Sequence, residues 1–87
     1  MPIAQIIDMP GARPREYEQA FALIHPDGAW PDGQLSHTAG PTPDGFRVID
    51  VWESVEAFER FEREVLEPLG FSGAPRSEFR VHKHVVR

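Results

Sequence analysis

The run from Phe46 to Trp52 limits most strongly what this chain can fold into. In an extended conformation its side chains alternate between two faces. One face carries Phe46, Val48, Asp50 and Trp52, and the other carries Arg47, Ile49, Val51 and Glu53. Large apolar groups occur on both faces, and a strand of this kind is usually covered on both sides.

Two other segments have the spacing of amphipathic helices. The first begins near Pro14, which suits a first helical turn, and Pro26 ends it. The second begins after Ser54, a plausible N-cap, and ends between Pro68 and Gly70. The apolar stripes are Tyr17, Ala20, Phe21 and Ile24 in the first, and Val55, Phe58, Phe61, Val65, Leu66 and Leu69 in the second. Only Glu62 interrupts the second stripe.

Three more runs predict strands. Residues 3–9 form a β-branched run, residues 34–39 precede a six-residue turn rich in Gly and Pro, and residues 78–86 end the chain. The order β, α, β, β, α, β predicts one α+β domain over residues 1–87. This is the ferredoxin-like arrangement, a four-stranded antiparallel sheet with two helices on one face.

The sheet face opposite the helices predicts a homodimer. Ile49 and Val51 make this face apolar, and no predicted element of the chain covers it. A domain of 87 residues has a small core, and without cysteine it has no disulfide to stabilise it. A second copy would bury the face, sheet against sheet.

Charge and composition exclude several classes of partner. The net charge of −5 disfavours nucleic acid, since an acidic domain repels a phosphate backbone. No apolar run is long enough to span a membrane, and no signal peptide is evident, so we expect a cytoplasmic protein. The basic residues Arg76, Arg80, Lys83 and Arg87 are interpreted as the solvated rim of the last strand, with an anion site as the alternative.

The stretch from Phe46 to Phe61, FRVIDVWESVEAFERF, resembles the third strand and second helix of the dimeric α/β-barrel superfamily. More closely it is similar to the antibiotic-biosynthesis-monooxygenase-like group, and the step from Trp52 to Phe58 is its most specific part. The group contains cofactor-free oxygenases, haem-degrading enzymes, isomerases and proteins without a known reaction, so the resemblance implies a fold more than an activity.

The resemblance also implies where a pocket would lie. In the group it is found between the helices and the sheet, and a Trp matching Trp52 contributes to it. Haem-degrading members carry an axial His on the second helix, whereas residues 54–69 contain none, and their first-strand Asn has no match beside Gln5 and Asp8. We therefore expect no haem and no other cofactor.

His37 and Asp50 are the candidate catalytic residues. A tight hairpin about residues 41–44 would place His37 opposite Val48 and diagonal to Asp50, with Trp52 next on the same face. A His held by a carboxylate in an aromatic pocket is suited to accept protons. The alternative is a buried polar pair that only satisfies its own hydrogen bonds.

The candidate ligand-binding residues are Tyr17, Phe21, Trp30 and Trp52. Tyr17 and Phe21 lie one helical turn apart and form either core or pocket wall. Trp30, in a turn-rich loop, is either a plug over the core or a lid over the pocket.

Three other histidines are given no catalytic role. His82 and His84 share a predicted strand face but lack a third ligand, so no metal site is predicted. His25 is interpreted as a partner of a helix C-terminus.

Two functions are open from the sequence. One is a homodimer that binds a small apolar or aromatic ligand, or only itself, between sheet and helices. The other is a cofactor-independent, monooxygenase-like or proton-transfer enzyme acting on a small aromatic substrate. Whether the protein is an enzyme depends on whether the space beside His37 and Trp52 is open.

Overall fold

A computed structural model describes all 87 residues. Four strands form one antiparallel sheet: β1 (Ile3–Pro10), β2 (Gln34–Thr42), β3 (Gly45–Trp52) and β4 (Arg76–Arg80). Their order across the sheet is β2-β3-β1-β4, so β1 and β3 are central. Helix α1 (Pro14–Ile24) joins β1 to β2, and helix α2 (residues 55–69) joins β3 to β4. The predicted ferredoxin-like α+β fold is confirmed.

Helix α2 begins where the sequence predicts. The Ser54 hydroxyl accepts a hydrogen bond from the Ala57 amide at 3.1 Å, which satisfies a free donor of the first turn. The helix is α-helical over Val55–Phe61, widens to a π-helical turn over Glu62–Leu66, and closes with Glu67–Leu69. Gly70 ends it in the left-handed conformation, with φ of 80°.

The β2–β3 hairpin differs from the predicted one in length and register. Only Pro43 and Asp44 lie in its turn, because Thr42 pairs with Gly45, and both strands are longer than expected. His37 consequently lies directly opposite Asp50 instead of opposite Val48. The predicted register was wrong by two residues, and because a two-residue shift leaves every side chain on its own face, the predicted faces are retained.

The last strand is shorter than predicted and begins earlier. It covers Arg76–Arg80, whereas residues 81–87 form no strand. Only the Val81 amide continues the pairing, donating to the carbonyl of Pro2 at 2.9 Å. The alternating pattern of residues 81–86 therefore lacks a neighbouring strand within the chain.

The core lies between the sheet and α2, where the buried residues Ile3, Trp52, Ala57 and Phe58 pack together. On the opposite face, which we call the outer face, Ile49 and Phe79 keep 39% and 55% of their surface exposed. Val51 is already buried there, so the open apolar area is centred on Ile49 and not on both predicted residues. Neither helix has the length and apolar character that crossing a bilayer would require.

Candidate functional site

A cavity of about 210 Å³ opens between the inner, helix-facing side of the sheet and the two helices. Its wall is mostly apolar, and the α1 stripe of Tyr17, Ala20, Phe21 and Ile24 faces it. An apolar cavity of about 150 Å³ is large enough for benzene. The space therefore accommodates a molecule of one or two rings.

Three polar side chains form a hydrogen-bonded chain on this apolar wall. His37 Nδ1 lies 2.5 Å from Asp50 Oδ1, and His37 Nε2 lies 2.5 Å from the Tyr17 hydroxyl. The carboxylate accepts, so Nδ1 carries the hydrogen and Nε2 is free to accept from Tyr17. We call these residues the Asp50–His37–Tyr17 relay. All three line the cavity.

Gln34 holds the carboxylate end of the relay in place. Its Nε2 donates to the same Asp50 Oδ1 at 3.0 Å, and Gln34 is buried. A buried carboxylate without donors would be costly, and two donors on one oxygen keep Asp50 in a single orientation. The sequence gives no pattern for Gln34, because the β-bulge at residues 34–36 that places it on this face is not predicted.

Burial and charge keep Tyr17 protonated. Desolvation, followed by the negative charges of Glu18 and Asp50, raises the pKa of Tyr17 above its ordinary value of 10.0. The hydroxyl is therefore a hydrogen-bond donor to His37 at neutral pH. It can receive a proton only as it passes its own to the imidazole.

Aromatic rings form the wall around the relay. Phe21 lies 5.9 Å from Tyr17 and 5.5 Å from His37, measured between ring centroids. Trp52 is 1% exposed and packs against Phe58 and Phe61 at 5.6 and 5.1 Å. Its indole N–H has no hydrogen-bond partner in the protein.

The structure does not bring Trp30 to this cavity. Trp30 is 54% exposed, and its indole N–H donates to the Gln34 carbonyl at 2.5 Å. Its ring lies 6.3 Å from that of His25, on the side away from the sheet-facing cavity. Its hydrogen bond closes the loop before β2, and the ring does not line this cavity.

His25 is a cavity residue that the sequence interpretation missed. It is buried, and its ring lies 6.1 Å from that of His37. The signal was its spacing, because His25 follows Tyr17 and Phe21 at intervals of four residues and so continues the inward stripe of α1. Its predicted position at a helix end is confirmed, because His25 is the C-cap of α1 and Pro26 follows it.

An ion pair lies at the other end of the cavity. Arg76 contacts Glu62 at 3.6 Å and places its guanidinium 4.6 Å above the Phe58 ring. Arg76 lies in the exposed edge strand β4, as the rim interpretation predicts, and its side chain also lines the cavity. This ion pair also explains the one interruption in the apolar stripe of α2, because Glu62 is the partner of Arg76.

The remaining histidines lie outside any strand. His82 and His84 fall in residues 81–87, so the strand face on which they were expected to lie together does not form. No group of three or more His, Asp or Glu side chains is close enough to hold a metal ion.

Comparison with known proteins finds likeness in structure and not in sequence. No family model matches the chain, and no curated protein matches it. A protein of Chloroflexus aurantiacus assigned to the antibiotic biosynthesis monooxygenases aligns over 100% of both chains, with 19% identity and a TM-score of 0.67. The heme-degrading protein of Mycobacterium tuberculosis has 26% identity and a TM-score of 0.63, covering 99% of this chain and 100% of that one. SnoaB, a cofactor-independent oxygenase of Streptomyces nogalater, has 17% identity and a TM-score of 0.61, covering 99% and 95%.

Fold and cavity together define the class, a small α+β protein with the fold of the dimeric α/β-barrel superfamily. Within it the similarity is to the antibiotic-biosynthesis-monooxygenase-like group, as the Phe46–Phe61 stretch predicts. Members of one fold carry out different reactions, so the activity has to be argued from the site.

The residues of this cavity do not fit a haem held from α2. That helix contains no histidine. The cavity has room for one or two rings, which is less space than a porphyrin needs.

Proposed function

We propose that this protein is a cofactor-independent enzyme that removes a proton from a small aromatic substrate, as a monooxygenase-like reaction requires. The observation that carries the proposal is the relay, in which a buried Asp50 and a half-buried His37 reach an apolar cavity through a tyrosine hydroxyl. A polar chain of this kind is costly to bury if it serves packing alone.

The relay supplies a direct path for the proton. As an acidic C–H of the substrate transfers its proton to the Tyr17 oxygen, the Tyr17 proton passes to His37 Nε2. The imidazolium that forms lies against the Asp50 carboxylate, which stabilises its charge. Tyr17, His37 and Asp50 thus act as one general base.

Removal of the proton prepares the substrate for oxygen. The resulting carbanion gives electrons to O2, a C–O bond forms, and the peroxide takes back a proton. Loss of water from this hydroperoxide leaves a carbonyl. A CH2 group and one O2 thereby become a C=O group and one water, and no external reductant is consumed.

The rest of the cavity supports binding of an aromatic ring. Phe21 and Trp52 provide apolar surface beside the relay, and an apolar wall strengthens the electrostatic interactions within it.

The assembly that we propose is a homodimer in which a second copy covers the outer face around Ile49 and Phe79.

Oxygen uptake with a two-ring probe tests the proposal. β-Tetralone is small, aromatic and carries an acidic CH2 beside its ketone. We expect the protein to accelerate O2 uptake by this ketone, with one O2 consumed for each diketone formed. Uptake equal to that of buffer at saturating probe would contradict an oxygenase function.

A further inference from the structure

His25 offers the cavity a hydrogen-bond acceptor outside the relay. The residue is 6% exposed and lines the cavity, and its Nδ1 lies 3.1 Å from the Ala29 carbonyl oxygen. A carbonyl oxygen only accepts, so Nδ1 carries the hydrogen. In the neutral imidazole, Nε2 then carries a lone pair that can accept a hydrogen bond.

No protein group uses this lone pair. His25 makes its single side-chain hydrogen bond through Nδ1, whereas both ring nitrogens of His37 are engaged by Asp50 and Tyr17. Aromatic side chains surround His25, with the ring centroids of Phe21 and Phe61 at 4.4 and 6.3 Å from its own. Because His25 lines the cavity, a molecule that fills it would keep water from the imidazole, and Nε2 would then need a donor on that molecule.

We propose that His25 is a specificity-determining residue whose Nε2 accepts a hydrogen bond from a hydroxyl or N–H group of the ligand. The inference rests on the proposed function in needing a ligand in the cavity, and it adds the chemistry of that ligand. Because the His25 and His37 rings are 6.1 Å apart, a ring anchored at His25 can present a neighbouring edge to Tyr17. The ligand class is thus an aromatic ring system that bears a hydrogen-bond donor.

Binding of β-naphthol and of its methyl ether tests the inference. The two probes share a ring system, and only the naphthol can donate to Nε2. We expect calorimetry to show that the protein binds the naphthol about tenfold more tightly than the ether, a typical effect of one hydrogen bond to a buried group. Equal dissociation constants for the two probes would overturn the inference.

Two amide substitutions at this position form a matched pair. In His25→Asn the amide nitrogen takes the place of Nδ1 and can still donate to Ala29, but no atom replaces Nε2. In His25→Gln the longer side chain brings an amide oxygen towards the position of Nε2. We expect the Asn variant to bind both probes within about twofold of each other and the Gln variant to keep part of the preference.

Nitrogen NMR of the unmodified protein gives a second measurement that does not depend on a variant folding. We expect the Nε2 resonance of His25 to move on addition of the naphthol and to stay nearly unchanged with the ether. A preference that survives in His25→Asn, or a resonance that responds equally to both probes, would overturn the inference.

These outcomes separate the inference from the proposed function. If the naphthol preference is present and depends on His25 while β-tetralone is not turned over, the inference stands and the proposed reaction fails. If neither probe binds the unmodified protein, the cavity is not a ligand site and both are overturned.

Discussion

Asp50 is the residue on which the relay depends for its geometry. Its Oδ1 accepts from His37 and from Gln34, and all three side chains lie in the inner wall. Asp50→Ala would leave both donors without an acceptor in a place that water reaches poorly. We expect chemical denaturation to show a loss of roughly 1–3 kcal/mol in the free energy of unfolding. An unchanged stability would show that the two donors have other partners in solution.

Tyr17 can be titrated alone, because it is the only tyrosine in the chain. Its pKa is raised chiefly by burial and further by the charges of Glu18 and Asp50. We expect phenolate absorbance to rise with a midpoint above 10.0 in the folded protein and to return to about that value in denaturant. In Asp50→Asn the folded midpoint should fall, because one of the negative charges is gone.

The sign of the linked stability follows from the direction of the Tyr17 shift. The folded state holds this proton more tightly than the unfolded state does. The contribution of Tyr17 to stability is therefore fully present below the unfolded pKa and is lost as the pH rises through the folded pKa. A folded midpoint at or below the unfolded one would contradict the half-buried position of Tyr17 beside Asp50.

At the scale of elements, the sequence predicted the features that depend on residue spacing and on helix capping. The inward stripe of α1, the Ser54 cap and the faces of β3 follow from spacing and are as predicted. The hairpin register was not predictable from the Gly/Pro content of its turn, because Pro41 lies within edge strand β2, where a missing N–H is tolerated. The end of β4 depends on a neighbouring strand that sequence patterns do not reveal.

Gly33 fixes the approach of the β2 loop to α2. Its φ is +87°, and a Cβ at this position would lie 2.5 Å from the Ala57 Cβ. Gly28 also has a positive φ, of +74°, but open space around it. We expect Gly28→Ala to cost about 1–2 kcal/mol from backbone conformation alone, and Gly33→Ala to cost about 1–3 kcal/mol more through overpacking. Thermal unfolding of both variants measures the difference, and equal losses would show that the loop stands away from the helix.

At the scale of the whole molecule, the outer face predicts association. Ile49 lies at its centre and is 39% exposed. We expect light scattering at micromolar concentration to give about twice the 9.9 kDa mass of one chain. Ile49→Lys places a charge in the proposed contact and should give monomers or aggregates.

Leu23 provides the control for this substitution. It is 57% exposed on α1, on the helix side of the molecule, so Leu23→Lys introduces the same charge away from the proposed contact. We expect this variant to keep the dimer mass. A monomer mass for the unmodified protein would contradict the proposed assembly.

The central claim is that the relay removes a proton from a ligand in the cavity. Deuterium exchange into the acidic CH2 of β-tetralone, followed by proton NMR in D2O without oxygen, isolates this step from any later reaction with O2. We expect the protein to accelerate exchange over buffer by about 10²–10⁴-fold, the range of a positioned general base. Asp50→Asn can keep both hydrogen bonds to Oδ1 and should retain the melting temperature, but it loses the charge that stabilises the imidazolium, so exchange should fall towards the buffer rate. Exchange by the unmodified protein at the buffer rate, or at the same rate as a folded Asp50→Asn variant, would contradict the claim.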